Sequence, residues 1–221
     1  MPRTPAPSRA ATKTRILDAA EELFGEHGFA ATSLRNVTDA AGVNIAAVNY
    51  HFGSKEGLLR AVAQRAMAAT NAERERLLEE LTATDDEPAV HDLVRVFVTT
   101  GADVVGRHGH RGRHVARVLG RVVCEPDPRI RRLFAAEVGP VEGRFLRALT
   151  TALPDLPPSE VAFRYRAMVG LLALHQSGTL VDLHPGEPTH VPDSEARATE
   201  QLVTLLTATF TAPASDAASP S

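Results

Sequence analysis

Residues 32–55, TSLRNVTDAAGVNIAAVNYHFGSK, constrain this chain more than any other stretch. Leu34, Val37, Ala41, Val43, Val48 and Phe52 recur at spacings that place them on the inner faces of two short crossed helices. Between the helices, Ala41 allows close approach and Gly42 is free to take positive φ. Val43 then plugs the turn into the core. The second helix is left with a short, mixed outer face of Asn44, Ile45, Ala46, Ala47, Asn49 and Tyr50. A face of that size and composition suits a helix laid in a groove, and the groove of DNA is the leading candidate.

The rest of the 221 residues has helical period and no sustained alternation, so an all-α fold of about nine helices is expected. A first helix over 12–26 shows Ile16, Leu17, Ala20, Leu23 and Phe24 on one face, and Gly28 ends it. Thr32 or Ser33 caps the second helix, the third spans 45–52, and Ser54 caps a long fourth reaching residue 81. In that helix Glu73, Arg74, Glu75, Arg76, Glu79 and Glu80 are spaced for ion pairs on a solvated surface. Further helices are expected over 88–105, from the end of a Gly/His/Arg loop (106–112) to 124, from 129 to 153, from 158 to 181, and over 194–211. The segment 184–192 reads as a loop, and residues 1–11 and 212–221 as disordered tails. Residues 12–56 would form a helix-turn-helix head, and 57–211 a larger helical domain.

Charge divides along the same line. Residues 1–70 hold 8 Lys+Arg against 6 Asp+Glu, or +2, and the remainder holds 16 against 21, or −5. A mildly positive head on an acidic body fits a module that relies on a few placed phosphate contacts, and argues against a non-specific DNA coat. Cys124 is the single cysteine, so an intramolecular disulfide is impossible and a reducing compartment is expected. No apolar run approaches the ~20 residues that span a bilayer, and the start of the chain lacks a secretory signal. A cytoplasmic location follows as the expectation. There is no nucleophile elbow and no phosphate-cradling glycine loop, so the chain is not read as an enzyme, and no cofactor is expected.

Across residues 12–60 the chain resembles the TetR (tetracycline-repressor) family of bacterial transcriptional regulators. The resemblance is carried by ILDAAEELFGEHGFAATSL, then AAGV, then VNYHFGSKEGLL. It departs at Val37-Thr38, where Ile-Ala is usual, and at Ala47-Val48-Asn49-Tyr50 entering the aromatic exit. The resemblance assigns the third helix to the major groove and puts Asn44, Ile45, Ala46, Ala47 and Asn49 nearest the base edges. Their chemistry agrees: Asn bonds adenine bidentately, while Ala and Ile pack on a thymine methyl. Thr32, Ser33, Arg35, Tyr50, His51 and Lys55 would hold phosphates and fix the register.

For the remaining helices the resemblance implies an effector cavity and a homodimer formed through the helices near 158–181 and 194–211. Phe97, His114, Val118, Arg121, Phe134, Met168 and His175 are the candidate pocket residues. The implied activity is that of a repressor released from a palindromic operator by a small molecule. An alternative of the same fold is a metal- or redox-responsive regulator using His108, His110 and His114 or Cys124. The cationic glycine-rich context of those histidines disfavours a divalent cation, so no metal site is assigned.

Overall fold

The computed structural model describes residues 8–83, 87–182 and 194–214, and every regular element among them is helical. The helices are α1 (Arg9–Ala31), α2 (Leu34–Ala41), α3 (Ile45–Phe52), α4 (Lys55–Thr82), α5 (Val90–Ala102) and α6 (Val104–His108). After a 3₁₀ turn (Gly109–Arg111) come α7 (Gly112–Val123), α8 (Pro128–Ala152), α9 (Pro158–Gln176), α10 (Thr179–Asp182) and α11 (Glu195–Thr211). The expected loop over 184–192, part of the expected break over 84–88 and most of the two expected tails lie outside the described residues.

Local chemistry explains most of the boundaries. Ser8 caps α1, so the helix begins at Arg9 and not at residue 12. Gly28, at φ 80°, breaks its regularity near the end as expected. Ser33 rather than Thr32 caps α2 through a reciprocal capping box. Its Oγ accepts from the Asn36 N–H at 3.1 Å, and Asn36 Oδ1 accepts from the Ser33 N–H at 2.9 Å. The Asn44 side chain caps α3 by accepting from the Ala47 N–H at 3.0 Å. Ser54 Oγ accepts from the Gly57 N–H at 3.0 Å at the start of α4.

Two expectations change here. The segment 106–112 is not an open loop. It is wound into α6 and the 3₁₀ turn, with Val104 and Val105 seated against an apolar layer of Ala66, Met67, Val115, Leu119 and Val138. The helix expected over 158–181 is divided at Gly178, which takes φ 76°.

The chain forms two compact units. One comprises residues up to Ala69 together with Val104–Val138; the other comprises Thr70–Asp103 and the chain from Gly139 onward. This differs from a division at residue 56, because the head helices share their core with later ones. Ile16, Ala20, Phe24, Val37, Val48, Leu58 and Val62 form one buried cluster with Val118, Val122 and Ile130. The core of the second unit is separate, built on Phe97, Phe145, Leu149, Val161, Met168, Val203, Leu206 and Phe210. Helices α4 and α8 contribute to both units, and Pro140 lies inside α8 beside the point where the chain passes from one to the other.

Candidate nucleic-acid interface

The geometry of α2 and α3 is set from within. Val37 and Val48 are fully buried, and Leu34, Val43 and Phe52 pack on the same cluster. Gly42 takes φ 61°, a conformation that costs any residue with a Cβ. Arg15 of α1 donates to the carbonyls of Ala41 and Gly42, so a cation closes the C-terminal end of α2. At the far end, a Cβ on Gly57 would fall 2.0 Å from the Phe52 carbonyl oxygen. Only glycine lets α4 start this close to the end of α3.

The exposed residues are those a groove would meet. Asn44, Ala46 and Asn49 are exposed, Ile45 is 53% exposed and Tyr50 68%. Asn44 is partly committed as the cap, which leaves its amide N–H₂ as the outward group. Ala47 departs from expectation. It is half-buried and packs on the head core, because it stands one position from fully buried Val48 on a helix of two turns.

Around this face lie the expected phosphate residues. Ser33 and Arg35 are exposed at the start of α2. His51 is half-buried with its ring 5.1 Å from that of Tyr50, edge-on. Lys55 holds its ammonium 4.1 Å above the Phe29 ring, and burial pulls its pKa down against the nearby acidic groups Glu56 and Glu125. Thr32 is withdrawn from the set. It is 2% exposed, and its hydroxyl donates to the carbonyls of Leu23 and Gly28 at 3.1 and 2.8 Å. Its sequence position beside Ser33 concealed that inward turn.

Sequence reasoning missed two features of the head. Arg9 places its guanidinium 5.7 Å from the Tyr50 ring, which adds a cation beside α3. Its signal was hidden because residues 1–11 read as a tail. The second is a buried carboxylate. Glu21 of α1 is 1% exposed and accepts from Arg65 Nε at 2.7 Å, Arg111 Nη2 at 2.7 Å and Arg111 Nε at 2.8 Å. Arg65 also donates to Asp18 at 2.8 Å. This network ties α1 to α4 and to the turn before α7. Arg121 of α7 adds bonds to the carbonyls of Gly25 and Glu26 at 2.8 and 2.7 Å.

The seven expected pocket residues are divided between the two units. Val118 and Phe134 pack under the head, Arg121 clamps the end of α1, and His114 stands on α7 in the same unit. Phe97, Met168 and His175 belong to the second unit, the first two as core. His175 is half-buried, and burial lowers its pKa against the opposing pull of Glu195. Among the described residues, no three His, Cys, Asp or Glu side chains gather where they could hold a metal. His108 Nε2 lies 3.0 Å from the Ala66 carbonyl oxygen, and Cys124 is exposed.

A helix-turn-helix whose second helix offers a short polar and apolar face has the form of a DNA-reading head. Comparison with known proteins makes the class specific. Residues 16–62 match the bacterial regulatory proteins of the tetR family, and residues 95–209 match the tetracyclin repressor-like C-terminal domain. The chain belongs to the TetR family of DNA-binding transcriptional regulators, which are not enzymes.

It is 57% identical over 47 residues to the HTH-type transcriptional regulatory protein RaaS of Mycobacterium tuberculosis, covering 21% of this chain and 22% of that one. It is 30% identical over 111 residues to the HTH-type transcriptional repressor KstR2 of Rhodococcus jostii, covering 42% and 54%. The matched stretches thus span about a fifth to a half of these relatives' lengths. In fold it is similar to the TetR family transcriptional regulator PfmR of Thermus thermophilus, with TM-score 0.59 and 21% identity over 96% of this chain and 100% of that one. Among the described residues, no helix is long and apolar enough to cross a membrane.

Proposed function

We propose that the protein is a homodimeric repressor that reads a palindromic operator with α3 and is released by a small-molecule effector held in the second unit. The observation that carries the DNA reading is the outward face of α3. Asn44, Ile45, Ala46, Asn49 and Tyr50 stand exposed on a helix whose other side is fixed by Val48, Gly42 and Gly57. The amides would read adenine, and Ile45 and Ala46 would pack on thymine methyls, with Ala47 behind them. Ser33, Arg35, Tyr50, His51 and Lys55 would hold phosphates, joined by Arg9.

The dimer reading rests on α9 and α11. These helices pack on each other within the second unit and expose Phe163 at 60% and Leu205 at 53%, large apolar side chains that a second copy would cover. KstR2 is named a repressor, and that supports the same sign of regulation here.

The test separates base from backbone contacts. Lys55→Ala and Tyr50→Phe should weaken binding to all duplexes, and Lys55→Ala should reduce the salt slope by about one per lost phosphate contact in each head. Asn49→Ala should change the preferred base while leaving the salt slope intact. An unchanged site preference in Asn49→Ala would show that α3 does not read bases through this face.

A further inference from the structure

The core of the second unit contains a polar cluster that its packing does not require. On α4, Thr70, Asn71, Arg74 and Leu78 fall on one helical stripe. Leu78 belongs to the apolar core, yet the three residues before it are polar. Thr70 is fully buried and Arg74 is 3% exposed, although the charged run around Arg74 reads as a solvated surface. Arg76 does pair at the surface with Glu73 and Glu80, but Arg74 turns inward.

The guanidinium carbon of Arg74 lies 3.7 Å from the centre of the Phe97 ring. Its Nε donates to Thr100 Oγ1 at 3.2 Å and its Nη2 to the Phe97 carbonyl at 3.1 Å. The Phe97 ring meets Phe145 and Tyr165 edge-on, with centroids 5.3 and 5.5 Å away. Tyr165 is 5% exposed, and its hydroxyl finds no partner in the protein; nor do Thr70 Oγ1 and Asn71 Oδ1. Glu142 completes the group. Burial pushes its carboxyl up even though Arg74 pulls it down, and burial together with Glu142 pushes the Tyr165 hydroxyl up.

A core selected for stability alone would carry an apolar residue at 74 and phenylalanine at 165, since both changes remove buried polar atoms without removing volume. What the present residues supply instead is convergent donors. They are the planar fork of a permanently charged guanidinium and the hydroxyls of Tyr165 and Thr70. One fixed positive charge suits a ligand with one negative charge. A planar pair of oxygens matches the fork. The surrounding Phe97, Phe145 and Met168 suit an apolar body.

We propose that this cluster recognises the effector, and that the effector is an apolar monocarboxylate. Its carboxylate binds the Arg74 guanidinium and the Tyr165 hydroxyl, and its body lies among Phe97, Phe145 and Met168. The inference rests on the reading of the second unit as the effector-binding half and names the chemistry of that ligand.

The test is calorimetric titration of the full chain with 1-naphthoate and 4-phenylbutyrate, each beside its primary amide of the same shape. The expected result is a carboxylate bound at least about tenfold more tightly than its amide, as charge-assisted pairing requires. Arg74→Met should abolish that preference. Tyr165→Phe keeps the ring and the packing, so it serves if Arg74→Met fails to fold; it should weaken the carboxylate several-fold and leave the amide unchanged. Equal affinity for acid and amide, binding of neither up to millimolar concentration, or indifference to both substitutions would overturn the inference. Release from an operator duplex is read separately by fluorescence anisotropy. Preferred carboxylate binding without release supports a carboxylate site at this cluster and refutes its reading as the effector site. Release by acid and amide alike supports the effector reading and overturns this inference.

Discussion

Replacing Glu21 by leucine would leave Arg65 and Arg111 facing each other across the site of a lost carboxylate. The two guanidinium side chains are 20% and 25% exposed, and Glu21 itself is 1% exposed. Breaking a buried pair by removing one partner costs about 3–5 kcal/mol, because the remaining charge stays desolvated. Here both arginines reach some water, and Arg65 keeps its bond to Asp18, so the lower end applies, about 3 kcal/mol. For a chain of this size that corresponds to a melting point lower by roughly 6–12 °C.

The assay is urea unfolding followed by circular dichroism, with hydrogen exchange on α1 to locate the loss. Adding Arg65→Met and Arg111→Met to Glu21→Leu should recover much of the stability, since an apolar trio no longer strands a charge. A cost below about 1 kcal/mol in the single variant, or a triple variant no more stable than the single, would refute the reasoning that the network acts through paired buried charge.

Three further outcomes follow. Gly57→Ala places a Cβ 2.0 Å from the Phe52 carbonyl oxygen, so α3 must shift; DNA affinity should fall by more than about tenfold in a gel-shift assay, while the second unit keeps its exchange protection. Phe163→Glu with Leu205→Glu should convert the proposed dimer to monomer in sedimentation, with the helical signal unchanged. Glu142 has a folded-state pKa raised above 4.5, so its contribution is fully favourable below about pH 4.5 and is lost as pH rises through the folded value. Urea midpoints of wild type and Glu142→Gln should therefore differ little at pH 4, and the variant should gain on wild type towards pH 7.

The head was legible because its determinants are local. Ser33, Gly42, Asn44 and Ser54 act on backbone groups within three or four residues, so spacing alone exposes them. The outward positions of α3 followed from buried Val48 in the same way. Thr32 and Ala47 turn inward, which spacing does not reveal because each stands next to a residue of the opposite orientation in a very short element.

The remainder of the chain was far less legible. Val118 and Phe134 are apolar residues that either core could have used, and only the contacts of α7 and α8 assign them to the head. Arg74 sits in a run of alternating charge whose spacing also satisfies a solvated surface. The tertiary partners Phe97 and Thr100 turn that single member inward. Gly112 permits α7 to start against Val105, a close approach that leaves no periodic signal, so the pattern over 106–112 reads as loop.

Selection of duplexes from a randomised pool by the full chain at near-physiological salt tests the central claim most directly. The expected product is a palindrome whose half-sites lie about one helical turn apart, as two symmetric α3 helices in successive major grooves require. Recovery of a single unpaired half-site, or retention of duplexes without sequence preference, would contradict it.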